Sequence, residues 1–165
     1  VRMTEDLIYQ ETLRSKKTSG LFLGLSLLFL ILGIWRLVSA GWAALTIVFL
    51  VISALFLFYV INFWKLQIFV NPELLKVKFG IFRWRIPLEN IASIQRDELP
   101  WLMRNGGAGV HFLLVNGLYR VNFNFLEYSR LLVRFNEKAG PVQALSLSTR
   151  QPEHLLAAIN QRIGL

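Results

Sequence analysis

Hydrophobic and polar positions alternate in two different regimes along this chain. From Thr18 to Trp35 no residue is charged, and from Leu37 to Trp64 none is either. A bilayer core of ~30 Å needs about 20 helical residues to cross it. The pattern therefore predicts two membrane-spanning helices, over residues 18–38 and 43–63. Val38-Ser39-Ala40-Gly41-Trp42 forms the turn between them, with Gly41 as breaker. At bilayer depth the backbone must satisfy its own hydrogen bonds, which a helical hairpin does. A cleaved signal peptide would need a shorter apolar run of about 7–15 residues. Here the run is longer and a second follows at once, so residues 18–64 are expected to stay as an anchor.

Past Trp64 the period drops to two. Leu75, Val77 and Phe79 alternate with Lys76 and Lys78, and Phe82, Trp84 and Ile86 alternate with Arg83 and Arg85. Period two marks half-buried strands, and Gly80-Ile81 between them is a hairpin turn. Further strands are predicted at Leu66–Val70, Ile91–Arg96, Val110–Val115, Leu118–Phe125, Leu131–Phe135 and Val142–Leu147. Asn71-Pro72, Asn105-Gly106-Gly107, Asn116-Gly117 and Ala139-Gly140-Pro141 punctuate them. Residues 152–163 then change period again. Leu155, Leu156, Ile159 and Ile163 share one face of a helix that opens on Pro152 and Glu153. Its apolar stripe should plug one open end of the sheet structure. Residues 1–17 mix Leu7, Ile8, Tyr9 and Leu13 with charges. They read equally as a solvated cytoplasmic lead-in or as a short interfacial helix.

The organisation is thus a lead-in, an anchor, and one β domain over residues 65–165, a length that suits a single core. Charge refines the picture. The net charge is +8, of which residues 65–165 carry +6. Arg14, Lys16 and Lys17 flank the first helix, and Lys65, Lys76 and Lys78 follow the second, while the turn offers Arg36 alone. Positive flanks stay inside, so both termini are expected in the cytoplasm of a multi-pass inner-membrane protein. Arg36 reads as a snorkelling anchor near a helix end. Trp35, Trp42, Tyr59 and Trp64 fall at the expected interfaces. A basic domain tied to a bilayer meets anionic headgroups before nucleic acid, and no nucleic-acid motif is present. The chain has no cysteine, which excludes disulfides, thiolate nucleophiles and Cys-ligated metals.

About seven or eight short strands followed by one helix is the layout of a pleckstrin-homology-like barrel. The run Leu74-Leu75-Lys76-Val77-Lys78-Phe79-Gly80-Ile81-Phe82, followed by Ile86-Pro87-Leu88-Glu89-Asn90-Ile91-Ala92-Ser93-Ile94, resembles the start of bacterial PH domains. The stretch from Leu145 to Ile159 resembles their last strand and capping helix. This resemblance covers residues 66–163. It implies a PH-like barrel behind transmembrane helices, and it implies neither enzyme activity nor catalytic residues. Ile81-Phe82-Arg83-Trp84 is also similar to a stretch of the photosystem I assembly factors, which pair an N-terminal helix pair with a β-rich domain. That likeness implies an assembly or accessory role in a membrane complex.

Candidate chemistry is sparse. His111 lies in a strand and His154 in the first turns of the last helix, and neither makes a ligand spacing with another His or a nearby carboxylate. Asp97-Glu98 reads as a solvated strand end in preference to an acid/base dyad. Gly106-Gly107-Ala108-Gly109 lacks the Lys and the following helix of a phosphate loop. No cofactor, metal or small-molecule substrate is expected. The strongest signal is electrostatic. If the two strands pair, Lys76, Lys78, Arg83 and Arg85 share one outward patch, at ~1 kcal/mol per cation near an anionic surface. Their spacing resembles the phosphoinositide signature of eukaryotic PH domains, carried onto Lys76, Arg83 and Arg85. The plain alternative is the polar outer face that any such sheet needs. Trp101, Leu102 and Met103 form an apolar loop that either contacts a partner or folds back into the barrel. Gly20 and Gly24 are a small-xxx-small pair, read first as hairpin packing and otherwise as a seat for a partner helix. The expected function is a non-enzymatic accessory, scaffold or assembly subunit that meets lipids and other membrane subunits. The alternative is a module binding an anionic lipid surface, and an enzyme is a distant third.

Overall fold

The computed structural model describes residues 7–98, 109–115 and 117–164. Strand β1 (Tyr9–Leu13) leads directly into helices α1 (Lys16–Ala40) and α2 (Ala44–Asn62). Eight strands follow: β2 (Leu66–Val70), β3 (Leu74–Phe79), β4 (Phe82–Pro87), β5 (Ile91–Arg96), β6 (Gly109–Val115), β7 (Leu118–Asn124), β8 (Ser129–Ala139) and β9 (Val142–Thr149). A 3-10 turn, Leu88–Asn90, joins β4 to β5, and helix α3 (Pro152–Ile163) ends the fold. The chain is a helical hairpin with a mainly β domain and one C-terminal helix, as its patterning predicts.

Both long helices are apolar and long enough to cross a membrane. At 1.5 Å per residue they extend about 37 and 28 Å. Ser15 caps α1, its Oγ accepting the Thr18 backbone N–H at 2.9 Å. Gly41 ends α1 at φ +64° and accepts from the Thr46 hydroxyl at 3.0 Å through its carbonyl. The seam between the helices is made by Ser26 and Ser53. The Ser53 hydroxyl donates to the Ser26 carbonyl at 2.8 Å, and the Ser26 hydroxyl to the Ser53 carbonyl at 3.0 Å. Phe22, Phe29 and Phe56 stack along the same seam, and Gly33 lies directly under the Leu50 side chain.

The strands form two sheets, ordered β1-β2-β3-β4 and β5-β8-β9-β7-β6. In the first sheet all neighbours are antiparallel, with Leu13 opposite Leu66, Leu66 opposite Phe79 and Phe79 opposite Phe82. Among the described residues of the N-terminal segment, Tyr9–Leu13 forms neither the interfacial helix nor the free lead-in expected. Tyr9–Leu13 is a strand, fully paired to β2, because alternation buries Tyr9, Glu11 and Leu13 on one face. In the second sheet β7 and β9 run parallel, Val121 opposite Leu145, so this half is not a run of successive hairpins.

The sheets enclose one core. Leu66, Ile68, Val70, Leu75, Phe79 and Ile86 from the first meet Val121, Phe123, Leu131, Leu145 and Leu147 from the second, all buried. Leu155 and Ile159 of α3 are fully buried against the same core, and Gly164 closes that helix in the left-handed region. A column of aromatic rings joins hairpin to core: Tyr59 to Phe63 at 4.9 Å, Phe63 to Phe79 at 5.1 Å, and Phe79 to Phe125 at 5.2 Å.

Candidate functional site

The β3–β4 hairpin turns at Gly80, whose φ is +61°. A Cβ there would lie 2.3 Å from the Asn62 carbonyl oxygen, so only glycine lets the turn sit against the end of α2. This contact sets the direction of the sheet: its Gly80 end adjoins the helices and its Asn71 end points away. Asn71 shapes the far turn, its Oδ1 accepting from the Leu74 N–H at 2.6 Å and the Glu73 N–H at 3.2 Å.

On this frame Lys76 lies directly opposite Arg85, and Lys78 directly opposite Arg83. The four expected cations thus come together as two cross-strand pairs on the outward face. Lys78, Arg83 and Arg85 are exposed, and Lys76 is half-buried. Like charges directly opposite one another destabilise a sheet. Among the described residues, Lys78, Arg83 and Arg85 make no ion pair. The lower pair, Lys78 and Arg83, is nearer the helices, and the upper pair lies two residues on, about 7 Å away.

Between the lower pair and the end of α2 opens a cleft of about 400 Å³, lined by Ile61, Trp64, Lys65, Lys78, Ile81 and Arg83 among others. Ile61, Trp64 and Ile81 are exposed. The Arg14 guanidinium stands 5.8 Å from the Trp64 ring centroid, a cation–π distance.

A second polar cluster is buried. The Asp97 carboxylate pairs with the Arg120 guanidinium at 3.0 Å and accepts from the Ser146 hydroxyl at 2.6 Å. Both side chains of the ion pair are almost wholly hidden, so Asp97 is neither a solvated strand end nor half of a dyad with Glu98. Arg120 Nε and Nη2, Asn122 Oδ1 and both amide atoms of Asn124 are buried without a hydrogen-bond partner. Alternation in β7 assigns Arg120, Asn122 and Asn124 to an outer polar face. No feature of that alternation shows that the face is buried.

A third cluster clamps β1 to the end of β9. The Glu11 carboxylate accepts from the Tyr9 phenol at 2.7 Å, the Thr149 hydroxyl at 2.6 Å and the Arg150 backbone N–H at 2.8 Å. Burial pushes the Tyr9 phenol above its ordinary range, and the Glu11 carboxylate pushes it the same way. The Arg150 guanidinium donates to the Tyr128 hydroxyl at 2.7 Å, a bond that raises its pKa further, and Tyr128 in turn donates to the Arg14 carbonyl at 2.7 Å. These bonds tie the foot of α1 to both sheets.

The remaining sequence candidates scatter. Gly20 and Gly24 are exposed, and neither has an atom within 4 Å of an added Cβ. They do not pack the hairpin, whose seam lies along Ser26 and Gly33 instead. Trp101, Leu102 and Met103 lie outside the described residues, as does most of the Gly106–Gly109 run. His111 faces Asn122 across the β6–β7 pair, and His154 Nδ1 lies 3.1 Å from Gln151 Oε1. Among the described residues no three of His, Cys, Asp and Glu gather closely enough to hold a metal ion.

Compared with models of protein families, with curated proteins and with solved structures, the chain matches none.

Proposed function

We propose that this protein is a non-enzymatic membrane-anchored module whose β domain lies against anionic lipid headgroups through the Lys76–Arg85 and Lys78–Arg83 pairs. One observation carries the reading: two cross-strand cation pairs stand on the face that begins where α2 ends. With α1 and α2 crossing the bilayer and both termini cytoplasmic, the lower pair sits at headgroup level. The upper pair, about 7 Å further out, stays within the ~8 Å screening length of physiological salt. Four cations there contribute a few kcal/mol at ~1 kcal/mol each, enough to hold one orientation. Lipid phosphates would also relieve the repulsion built into the Lys78–Arg83 pair. The resemblance to bacterial PH domains belongs to this proposal, supported by the order of hairpin, strands and last helix. The parallel β7–β9 pair is where the topology leaves a simple meander.

The test uses the full chain in lipid nanodiscs and measures hydrogen exchange over residues 74–87. Anionic lipid should slow exchange there relative to zwitterionic lipid, and reversing all four charges to Glu should abolish the difference. Equal exchange in both lipids would sink the reading.

A second reading, an accessory subunit of a larger membrane complex, is favoured by the β6 edge. Phe112 and Leu114 are 46% and 68% exposed on a strand without a formal charge that is the edge of its sheet among the described residues, the kind of edge that another chain covers. Cross-linking in mild detergent from position 114 to a second protein would support it.

A further inference from the structure

The cleft at the end of α2 differs in kind from the charged ladder above it. A ladder of strand cations attracts any anionic surface, with an effect that grows with the number of charges. The cleft is a concave place about 400 Å³ in volume. It brings Lys78 and Arg83, from adjacent strands, together with Lys65 from the link between α2 and β2. Gln67, on the neighbouring strand opposite Lys78, adds an amide donor to the same lining. Toward α2 the lining adds Ile61, Asn62 and Ile81. Ile61 of α2 and Ile81 of the turn are 69% and 62% exposed and give the cleft two adjacent apolar side chains. Trp64, 47% exposed, stands between the two levels, where an amphipathic ring fits both.

Resting on the lipid-facing reading above, we infer that this cleft seats the phosphate of a single anionic phospholipid. Lys65, Lys78 and Arg83 surround the phosphodiester, and the acyl chains run down past Ile61 and Ile81 along α2. Arg83 supplies the planar fork suited to two phosphate oxygens, and the lysines supply point charge. The Gly80 contact with the Asn62 carbonyl fixes the height of Ile81 and Arg83 relative to the helix end, so the site is preformed. A free phosphate would gain the cations and nothing from the two isoleucines. The occupant is therefore the lipid.

The test is native mass spectrometry of the full chain released from detergent, with phosphatidylglycerol or phosphatidylcholine added. One phosphatidylglycerol per chain should be retained, and phosphatidylcholine should not. Lys65→Gln with Arg83→Gln should weaken retention about 30-fold, as expected for two lost cations. Lys76→Gln with Arg85→Gln removes the same charge from the upper pair and should leave retention within about twofold of the unaltered chain. Thermal unfolding of each variant confirms that it is folded. Equal loss from both double variants, or no selectivity between the lipids, overturns the cleft. If residues 74–87 still exchange more slowly in anionic nanodiscs, the ladder reading survives that failure. If that protection is absent too, both readings fall.

Discussion

Asp97 shows at residue scale how this fold spends polar groups inside. Its carboxylate answers Arg120 and Ser146, while Arg120 keeps two nitrogens without partners. Removing Asp97 would leave a hidden guanidinium with no counter-charge, a change that costs about 3–5 kcal/mol. Asp97→Ala should therefore lower stability by roughly 3 kcal/mol or more in urea unfolding of the full chain in mild detergent. Adding Arg120→Met should restore part of the loss. Tyr9 makes a second case, with a pH signature. Its folded phenol resists ionisation because it is buried beside the Glu11 carboxylate, whereas an unfolded tyrosine ionises near pH ~10. Its contribution is complete below that point and declines as pH climbs above it, since only the unfolded chain releases the proton. The slope approaches ~1.4 kcal/mol per pH unit. The stability difference between the unaltered chain and Tyr9→Phe should be flat to about pH 9.5 and shrink beyond pH ~10.

At the scale of elements, period is what made most of the fold readable. Alternation marks β3 and β4, each with one face on the core, and turn signals bound the other strands after the hairpin, while β7 and β9 are buried on both faces along most of their length. The 12-residue terminal helix follows from its stripe and Pro152. β1 escaped because its inward row is Tyr9, Glu11, Leu13. A carboxylate in that row reads as a surface position until its partners, Thr149 and Arg150, arrive from the other end of the chain. The basic patch was readable because both of its strands are local and joined by one glycine turn. The cleft was not, since it depends on α2 meeting that turn. The Gly80 junction also yields a prediction. Gly80→Ala must hold a side chain in the left-handed region, at about 1–2 kcal/mol, and must also displace the Asn62 carbonyl. Gly140→Ala, at φ +65° with open space around it, carries only the first cost. Thermal unfolding should rank Gly80→Ala clearly below Gly140→Ala.

Taken whole, the molecule joins its helices to its sheets through short links. Two residues separate β1 from α1, and three separate α2 from β2. The Tyr59–Phe63–Phe79 rings carry packing across the junction. Such short links keep the charges of β3 and β4 close to the helix ends. The pairing of β1 with β2 also bears on how the protein is made. The helical hairpin sits inside a β-hairpin, with Leu13 and Leu66 as the pair that closes it. At about 5–20 residues per second of synthesis, β1 emerges from the ribosome seconds before its neighbour exists. On the proposed placement, both helices must be inserted before the first sheet can zip. Failed insertion would thus leave β1 a bare strand for quality control to recognise.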